Sequence, residues 1–301
     1  MKNPAASVHA RLAQRRIKTG EDYNVLLVRF TLERLLYRLS RSSHREQFIL
    51  KGAMLFALWE PMLHRVTRDL DLLGFGQPSA NRLTDIFREL CLLEVETDGV
   101  VFDPHSVVCE DIRAQNEYAG IRVKLRANLG KAVVPLQVDI GFGDAQSVAP
   151  EEITFPVMLG MAAPKLWAYS RETVVAEKLE AIVKLGMLNT RFKDYFDLHY
   201  LAQKFPFAGD SLTKSIAATC KRRGTVFPAG LPPGLTPMFG TDPAKIRGWQ
   251  AFWRKTGSKN EMPTLAAVIE LLVKFLGPPL DAAAKDKTLA AAWKNLGWLK
   301  G

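Results

Sequence analysis

Two segments near the middle of the chain alternate between apolar and polar residues, a pattern typical of half-buried β-strands. In "GIRVKLRANL" the apolar residues Ile121, Val123 and Leu125 alternate with three basic residues, Arg122, Lys124 and Arg126. In "PLQVDIGFG" the apolar residues Leu136, Val138 and Ile140 alternate with Gln137 and Asp139. The segment Asn128–Lys131 between them favours a turn. The sequence therefore predicts paired strands with one buried face, within a strand region that extends from about Val100 to Phe142.

Before this region, apolar residues recur at helical spacing over residues 1–65. "EDYNVLLVRFTLERLLYRLS" predicts an amphipathic helix whose polar face carries Arg29, Arg34 and Arg38. "FILKGAMLFALW" predicts a second, mostly apolar helix that Gly52 interrupts and Pro61 ends. After a strand at 69–74, Ser79 or Asn81 can cap an amphipathic helix that runs through Leu92.

The rest of the chain returns to a helical pattern. Helices are predicted at 171–187, 192–204, 210–223, 242–256, 263–276 and 279–296, with a loop or linker at "VFPAGLPPGLTPMFG". Helices, then a small mixed sheet, then helices indicate an α+β fold in two lobes. We place the lobes at residues 1–160 and 161–301, the second mainly helical.

The strand "TRDLDLLG" holds two aspartates in an otherwise apolar run. Residues i and i+2 of a strand point to one face, so Asp69 and Asp71 lie side by side, and their like charges repel. Asp139 is a third carboxylate, on another alternating strand. If the strands are neighbours, the three acids converge as hard oxygen donors that suit Mg²⁺ or Mn²⁺. The alternative is a pair of solvated acids, or ion pairs with Arg65 and Arg68.

Two further segments offer phosphate ligands. Gly52 follows Lys51 and opens onto the second helix, where backbone N–H groups and the helix dipole can hold a triphosphate. In "RETVVAEKLEAIVKLG" and "NTRFKDYFDLHY", a lysine held by a nearby aspartate could reach phosphates. Asp194 and Asp197 lie one helical turn apart, with Arg191 and Lys193 beside them. Spacing alone therefore favours another interpretation of the second segment, a surface helix with i,i+3 salt bridges between acidic and basic residues.

Charge and cysteine content limit the class of protein. The net charge of +10 is consistent with a polyanionic partner such as nucleic acid, or with a merely basic surface. The three cysteines are far apart and form no CxxC motif, which argues against a zinc site or a disulfide scaffold and is consistent with a reducing cytoplasm. No apolar run is long enough to cross a membrane.

Taken in order, "KGAMLFALW…RVTRDLDLLGFG", "LQVDIGFGD" and "VVAEKLEAIVKLGMLNTRFKDYFDL" resemble the AbiEii/AbiGii nucleotidyltransferase family. Its members are toxins of type IV toxin–antitoxin and phage abortive-infection systems. The resemblance extends to about Leu201, roughly two thirds of the chain. It implies a DNA-polymerase-β-like nucleotidyltransferase core, with a helical lobe that completes the active site.

The resemblance also implies roles for individual residues. Asp69, Asp71 and Asp139 would bind Mg²⁺ or Mn²⁺, and these three carboxylates and Asp194 would be catalytic. Nucleotide contacts would come from a set of six residues: Lys51, Gly52, Ala53, Arg68, Lys178 and Lys193. Two positions depart from the family pattern, since Ala53 replaces a serine or glycine and Lys193 replaces an arginine.

The implied reaction transfers a nucleoside monophosphate from an NTP, with release of pyrophosphate. Some relatives modify the 3′ end of tRNA, which would block translation, and the antitoxin encoded nearby need not bind the toxin. Trp249, Trp253, Trp293 and Trp298 lie among the basic residues Lys221, Arg222, Arg223, Arg254, Lys255 and Lys259. These residues could contact RNA, or the tryptophans could be core residues of a helical lobe.

Two other functions remain open on the residues alone. A DxD glycosyltransferase would explain Asp69 and Asp71 but gives no role to Asp139, Lys178 or Asp194. A catalytically weak or idle protein of the same fold could bind RNA or a protein partner instead, and the Gly52-Ala53 departure is consistent with that.

Overall fold

A computed structural model of the protein describes residues 3–60, 67–112, 120–143, 149–256 and 261–300. Pro61, Arg65 and Lys259, which entered the sequence predictions, lie outside these ranges. The chain divides into two compact units. Unit 1 comprises Met1–Gly143 and Glu151–Ala168, and unit 2 comprises Asp144–Pro150 and Tyr169–Gly301.

Within the described ranges, a mixed sheet of seven strands forms the centre of unit 1, so the predicted mixed sheet is confirmed and is larger than expected. Its spatial order is β3-β4-β5-β2-β1-β7-β6. The strands are β1 Phe48–Lys51, β2 Asp69–Gly74, β3 Val100–Asp111, β4 Gly120–Leu129, β5 Ala132–Phe142, β6 Glu151–Thr154 and β7 Lys165–Ala168. The predicted turn joins β4 and β5 through Gly130 and Lys131.

The described part of unit 1 contains the helices α1 Pro4–Thr19, α2 Tyr23–Arg41, α3 Phe56–Trp59 and α4 Ala80–Leu92. Ser79 caps α4, as predicted, because its hydroxyl accepts a hydrogen bond from the Arg82 N–H. Helix α2 packs on β5 and β7, and α4 packs on β3 and β4. The alternating apolar residues of β4 and β5 are buried, as their period predicted.

The predicted polar face of α2 is wrong, because Arg29, Arg34 and Arg38 are buried. Each arginine has a partner inside unit 1. The guanidinium of Arg34 donates to the Ala162 carbonyl at 3.0 Å, and that of Arg38 pairs with Asp98 at 2.8 Å. Arg29 pairs with Glu33 on the same helix at 3.4 Å. Their charge predicted exposure, whereas partners inside the unit accommodate these side chains in part. Nη1 of Arg29 and Nε of Arg34 and Arg38 are buried without a hydrogen-bond partner among the described residues.

The predicted second helix of "FILKGAMLFALW" is wrong before Gly52, and only the part after it is helical. Its first four residues form β1, which pairs antiparallel with β2 and parallel with β7. A single 3₁₀ turn at Gly52–Leu55 then leads into α3. A short, mostly apolar run is compatible with a buried strand or a buried helix, and here tertiary strand pairing decided between them.

Unit 2 is mainly helical, with α5 Arg171–Leu185, α6 Phe192–Lys204, α7 Gly209–Arg222, α8 Pro237–Thr241, α9 Pro243–Thr256 and α10 Leu265–Ala284. The predicted Pro/Gly-rich loop contains a 3₁₀ turn at Pro233–Leu235 and most of α8. A small sheet of order β10-β9-β8 contains β8 Phe207–Ala208, β9 Ala291–Lys294 and β10 Gly297–Lys300.

The predicted helix at 279–296 is wrong beyond Ala284. Helix α10 continues through Pro278 and Pro279, and the chain then forms the β9–β10 hairpin. Asn295 and Leu296 form its two-residue turn, both with positive φ, as a turn matching the twist of the strands requires. No helix in the described ranges is long and apolar enough to cross a membrane.

Candidate active site

The three predicted carboxylates lie on one face of the sheet in unit 1. Strands β2 and β5 are parallel neighbours, with Asp71 directly opposite Asp139 and Asp69 opposite Gln137. Partners in register share a face, as do residues i and i+2 of one strand. Leu70 and Leu72, which alternate with the aspartates, are buried under the opposite face. The acids of β2 and β5 are therefore neighbours, as the sequence suggested.

Gly52 lies directly against Asp71. It follows Lys51, which is opposite Asp71 in the β1–β2 register. Gly52 has a φ of +72°, and a Cβ on it would be 2.6 Å from Cγ and 2.7 Å from Cβ of Asp71. Glycine is required here for its left-handed backbone and for its missing side chain. The chain thus leaves β1 by a turn that fits around the Asp71 carboxylate.

Ala53 and Arg68 were predicted as nucleotide contacts together with Gly52, and the two residues lie in different surroundings. Ala53 is half-buried in the 3₁₀ turn Gly52–Leu55, so the feature that Gly52 opens is one short turn rather than a long helix. Arg68 is exposed immediately before β2. The predicted dipole of a full helix is therefore wrong for this position, and Gly52 and Ala53 can offer only the N–H groups of a single turn.

Arg122 is a site residue that the sequence analysis missed. Its Nε and Nη2 donate to Oδ1 and Oδ2 of Asp139, each at 2.8 Å, in a bidentate ion pair. These hydrogen bonds, and the charges of Asp139 and Asp69, raise the pKa of Arg122 above its ordinary value. The alternation of β4 placed Arg122 on the polar face, but only the β4–β5 register, with Arg122 opposite Asp139, identifies its partner.

The carboxylates fit a divalent cation in their chemistry. Asp69, Asp71 and Asp139 supply hard oxygen donors on one face, the ligands that Mg²⁺ and Mn²⁺ prefer. Within the described residues, however, no group of three or more His, Cys, Asp or Glu side chains is arranged to hold a metal ion. In this structure both oxygens of Asp139 accept hydrogen bonds from Arg122.

A second polar cluster lies in unit 2, where α5 and α6 meet. Nζ of Lys178 is 2.8 Å from Asp194 Oδ1 and 2.8 Å from Asp197 Oδ2. Arg191, just before α6, pairs with the other oxygen of Asp194 at 2.6 Å. Both carboxylates are buried, with side chains 1% and 0% exposed. The surface position in the alternative interpretation is therefore wrong for Asp194 and Asp197, whereas its i,i+3 ion pair is present between Arg191 and Asp194.

The charges in this cluster determine the state of Asp194. Burial opposes its ionisation, but the positive charges of Lys178 and Arg191 and their hydrogen bonds outweigh that effect and lower the pKa of Asp194. Asp194 is thus the aspartate that was expected to hold Lys178, and Asp197 is a second aspartate that contacts it. Lys193 is exposed on α6, and among the described residues it takes part in no hydrogen bond or ion pair. Arg191 is the basic residue that pairs with Asp194.

Two of the four tryptophans considered for RNA contact have core positions, whereas Trp253 and Trp298 are half-buried. Trp249 and Trp293 are buried, and their indole N–H groups donate to the carbonyls of Pro263 and Ala202. Trp298 stacks on Phe275. The core interpretation of Trp249 and Trp293 is confirmed, and a buried indole cannot stack on an RNA base. Arg223, one of the basic residues considered, pairs with Glu177 and Glu180.

Comparison with known proteins agrees with the motifs. The profile of the family "Nucleotidyl transferase AbiEii toxin, Type IV TA system" matches residues 34–272. A provisionally assigned nucleotidyltransferase from H. pylori is 16% identical, covering 88% of this chain and 97% of its own, with a TM-score of 0.49. JHP933 from Helicobacter pylori is 17% identical, covering 87% and 92%, with a TM-score of 0.46. No curated protein matches.

Proposed function

The chain belongs to the AbiEii family of nucleotidyltransferase toxins of type IV toxin–antitoxin systems, and from this we propose that it transfers a nucleoside monophosphate from an NTP to RNA. One observation carries the proposal: Asp71 lies opposite Asp139 on parallel strands, with Asp69 two residues before it and Gly52 fitted around it. The α+β fold class predicted from the sequence, a nucleotidyltransferase core with a helical lobe, is that of the family.

In the proposed reaction, a hydroxyl oxygen of the acceptor attacks the α-phosphorus of the NTP. The new bond joins that oxygen to the α-phosphorus, the bond to the β-phosphate oxygen breaks, and pyrophosphate leaves while the hydroxyl proton passes to solvent. Asp69, Asp71 and Asp139 would hold the divalent cation. When bound, the cation supplies positive charge that stabilises the phosphoryl oxygens.

The chain's own residues have three tasks in this scheme. Asp71 is held in place by the turn at Gly52, so its carboxylate is positioned before any ligand binds. Lys51, Gly52, Ala53 and Arg68 are proposed nucleotide contacts on unit 1. Lys178 is proposed to bind phosphate as a point charge whose orientation Asp194 and Asp197 fix. The exposed Lys193 is proposed as a further nucleotide contact.

We propose Mg²⁺ or Mn²⁺ as the cation and the 3′ end of tRNA as the acceptor, in the cytoplasm, so that modification inhibits translation and growth during phage defence. The net charge of +10 is consistent with an RNA acceptor. The antitoxin would be encoded nearby and would not form a stable complex with this chain.

The test is incubation of the purified protein with Mg²⁺, total tRNA and each α-³²P-labelled NTP in turn. The critical variant is Asp71→Asn, which removes the charge but keeps the size of the side chain. Asp103→Asn is the matched control, since Asp103 is an acid of the same sheet that pairs with Arg126. We expect label on tRNA with wild type and Asp103→Asn, and a loss of at least about 100-fold with Asp71→Asn.

Three outcomes would contradict the proposal in different ways. Label on protein rather than RNA would show that the acceptor is a polypeptide. Full activity of Asp71→Asn would refute the proposed role of the carboxylates. No label on any acceptor, together with no NTP binding, would favour a non-catalytic protein that binds RNA or a protein partner.

A further inference from the structure

The ion pair between Arg122 and Asp139 occupies the oxygens that a cation would need. Nε and Nη2 of Arg122 each donate at 2.8 Å, one to each oxygen of Asp139. The side-chain amide of Gln137 contributes a longer contact of 3.4 Å to Oδ2. Asp139 is therefore fully engaged by groups of this chain, on the strand beside Asp71.

The guanidinium also supplies the positive charge that this face requires. Asp71 is opposite Asp139 in register, and the charge of Asp69 acts on Arg122 as well. Neighbouring carboxylates repel one another, and a cation between them removes the repulsion. Arg122 is therefore a cationic group of the chain itself that reduces the repulsion expected from the sequence.

The Arg122–Asp139 ion pair is exposed enough for a cation from solvent to replace Arg122. The side chains of Arg122 and Asp139 are 32% and 21% exposed, in contrast to the buried Lys178–Asp194 pair. A partly exposed ion pair is only modestly stable, because water competes for both partners. A divalent cation with higher charge density can replace it.

Resting on the proposed function, we propose that Arg122 is the resident counter-ion of the acidic face: it neutralises Asp139 in the metal-free protein and must release Asp139 when a divalent cation binds. Arg122 is thus a positioning residue that acts through Asp139. It lowers the affinity for the cation and keeps the acidic face stable without one.

The direct test is the affinity for Mn²⁺, measured from the electron paramagnetic resonance signal of the free ion. Arg122→Gln removes the positive charge and keeps a polar side chain. Arg126→Gln is the matched control, because Arg126 lies four residues along the same strand, is 60% exposed and pairs with Asp103 instead. We expect about tenfold tighter Mn²⁺ binding for Arg122→Gln, the effect of losing one competing ion pair, and no change for Arg126→Gln.

Thermal unfolding gives a second readout that does not depend on turnover. Without metal, Arg122→Gln should melt below the wild type, because Asp139 has lost its counter-ion beside Asp71. Saturating Mn²⁺ should raise its Tm by more than it raises that of the wild type. If Arg122→Gln is folded and binds Mn²⁺ equally or more weakly, Arg122 is not a competing counter-ion and the inference is overturned.

Asp71→Asn separates this inference from the proposed function. If Asp71→Asn and the wild type bind Mn²⁺ with the same affinity, the carboxylates are not the metal site, and the proposed function and this inference both fail. If Asp71→Asn loses Mn²⁺ binding while Arg122→Gln matches the wild type, only the inference about Arg122 fails.

Discussion

At the scale of single residues, Gly52 is constrained both by its backbone conformation and by the side chain beside it. Its φ of +72° disfavours any L-residue, and its missing side chain leaves the space that Asp71 occupies. The glycine of the predicted nucleotide-binding turn is therefore also a packing requirement of the acidic face. Backbone conformation and carboxylate position are coupled through this one contact.

We expect Gly52→Ala to destabilise the protein by at least about 2 kcal/mol, because the new methyl group adds a collision with Asp71 to the cost of a positive φ. Gly160→Ala is the control, since Gly160 has a φ of +62° and a methyl group added there would meet nothing within 4 Å. Urea unfolding of both variants measures the difference. Equal losses of stability in Gly52→Ala and Gly160→Ala would show that the contact with Asp71 contributes nothing.

At the scale of elements, Lys178, Asp194 and Asp197 join α5 to α6 through two buried carboxylates and a lysine whose side chain is 13% exposed. Asp194 and Asp197 lie one turn apart on α6, and both accept from Lys178 on α5. Removing one member of such a group leaves the others buried without compensation. A residue proposed to bind phosphate is thus also part of the packing of unit 2, and loss of activity alone cannot establish its role.

For Lys178→Met we expect a loss of about 3–5 kcal/mol in stability, in addition to weaker nucleotide use. Lys193→Met, in the same helix pair but exposed and without a partner among the described residues, should stay within about 0.5 kcal/mol of the wild type. Urea unfolding is measured for both variants, and the KM for NTP is measured for Lys178→Met. A fully stable Lys178→Met would show that the buried carboxylates do not depend on this lysine.

At the scale of the whole molecule, two buried carboxylates give the free energy of unfolding opposite pH dependences. Burial raises the pKa of Glu33 on α2 to about 7, despite the nearby charge of Arg29 and a hydrogen bond from the Met158 N–H. Asp194 has a lowered pKa, so its contribution is present at neutral pH and is lost as the pH falls below about 4. The contribution of Glu33 to the free energy of unfolding has the opposite pH dependence. As the pH rises, the folded protein keeps a proton on Glu33 that the unfolded chain has already released.

We expect Glu33 to reduce stability as the pH rises from about 4.5 to 7, by about 3 kcal/mol in total. Glu33→Gln has no proton to lose and can still accept from Met158, so its stability relative to the wild type should rise across this range. Glu270→Gln is the control, because Glu270 is 70% exposed. Urea unfolding at several pH values from about 4.5 to 8 measures the difference in unfolding free energy between each variant and the wild type. A difference that stays constant with pH for Glu33→Gln would contradict the raised pKa of Glu33.

The sequence by itself determined the features that depend on the local period of apolar residues and on the order of the motifs. The alternation of β4 and β5, the acidic pair of β2, the helices α2, α4, α5 and α6, and the α+β class followed from patterns a few residues long. The motifs also identified the family, which the profile match over residues 34–272 confirms. The same patterns placed Asp69 and Asp71 on one face, because the period of a strand fixes that locally.

Only the tertiary structure decided which distant residues meet. The register of β2 against β5 placed Asp71 opposite Asp139, and that of β4 against β5 placed Arg122 on Asp139. Strand pairing turned an apolar run into β1, and buried partners accommodated the arginines of α2. Periodicity describes one element in isolation, whereas ion pairing and register depend on contacts between elements far apart in sequence.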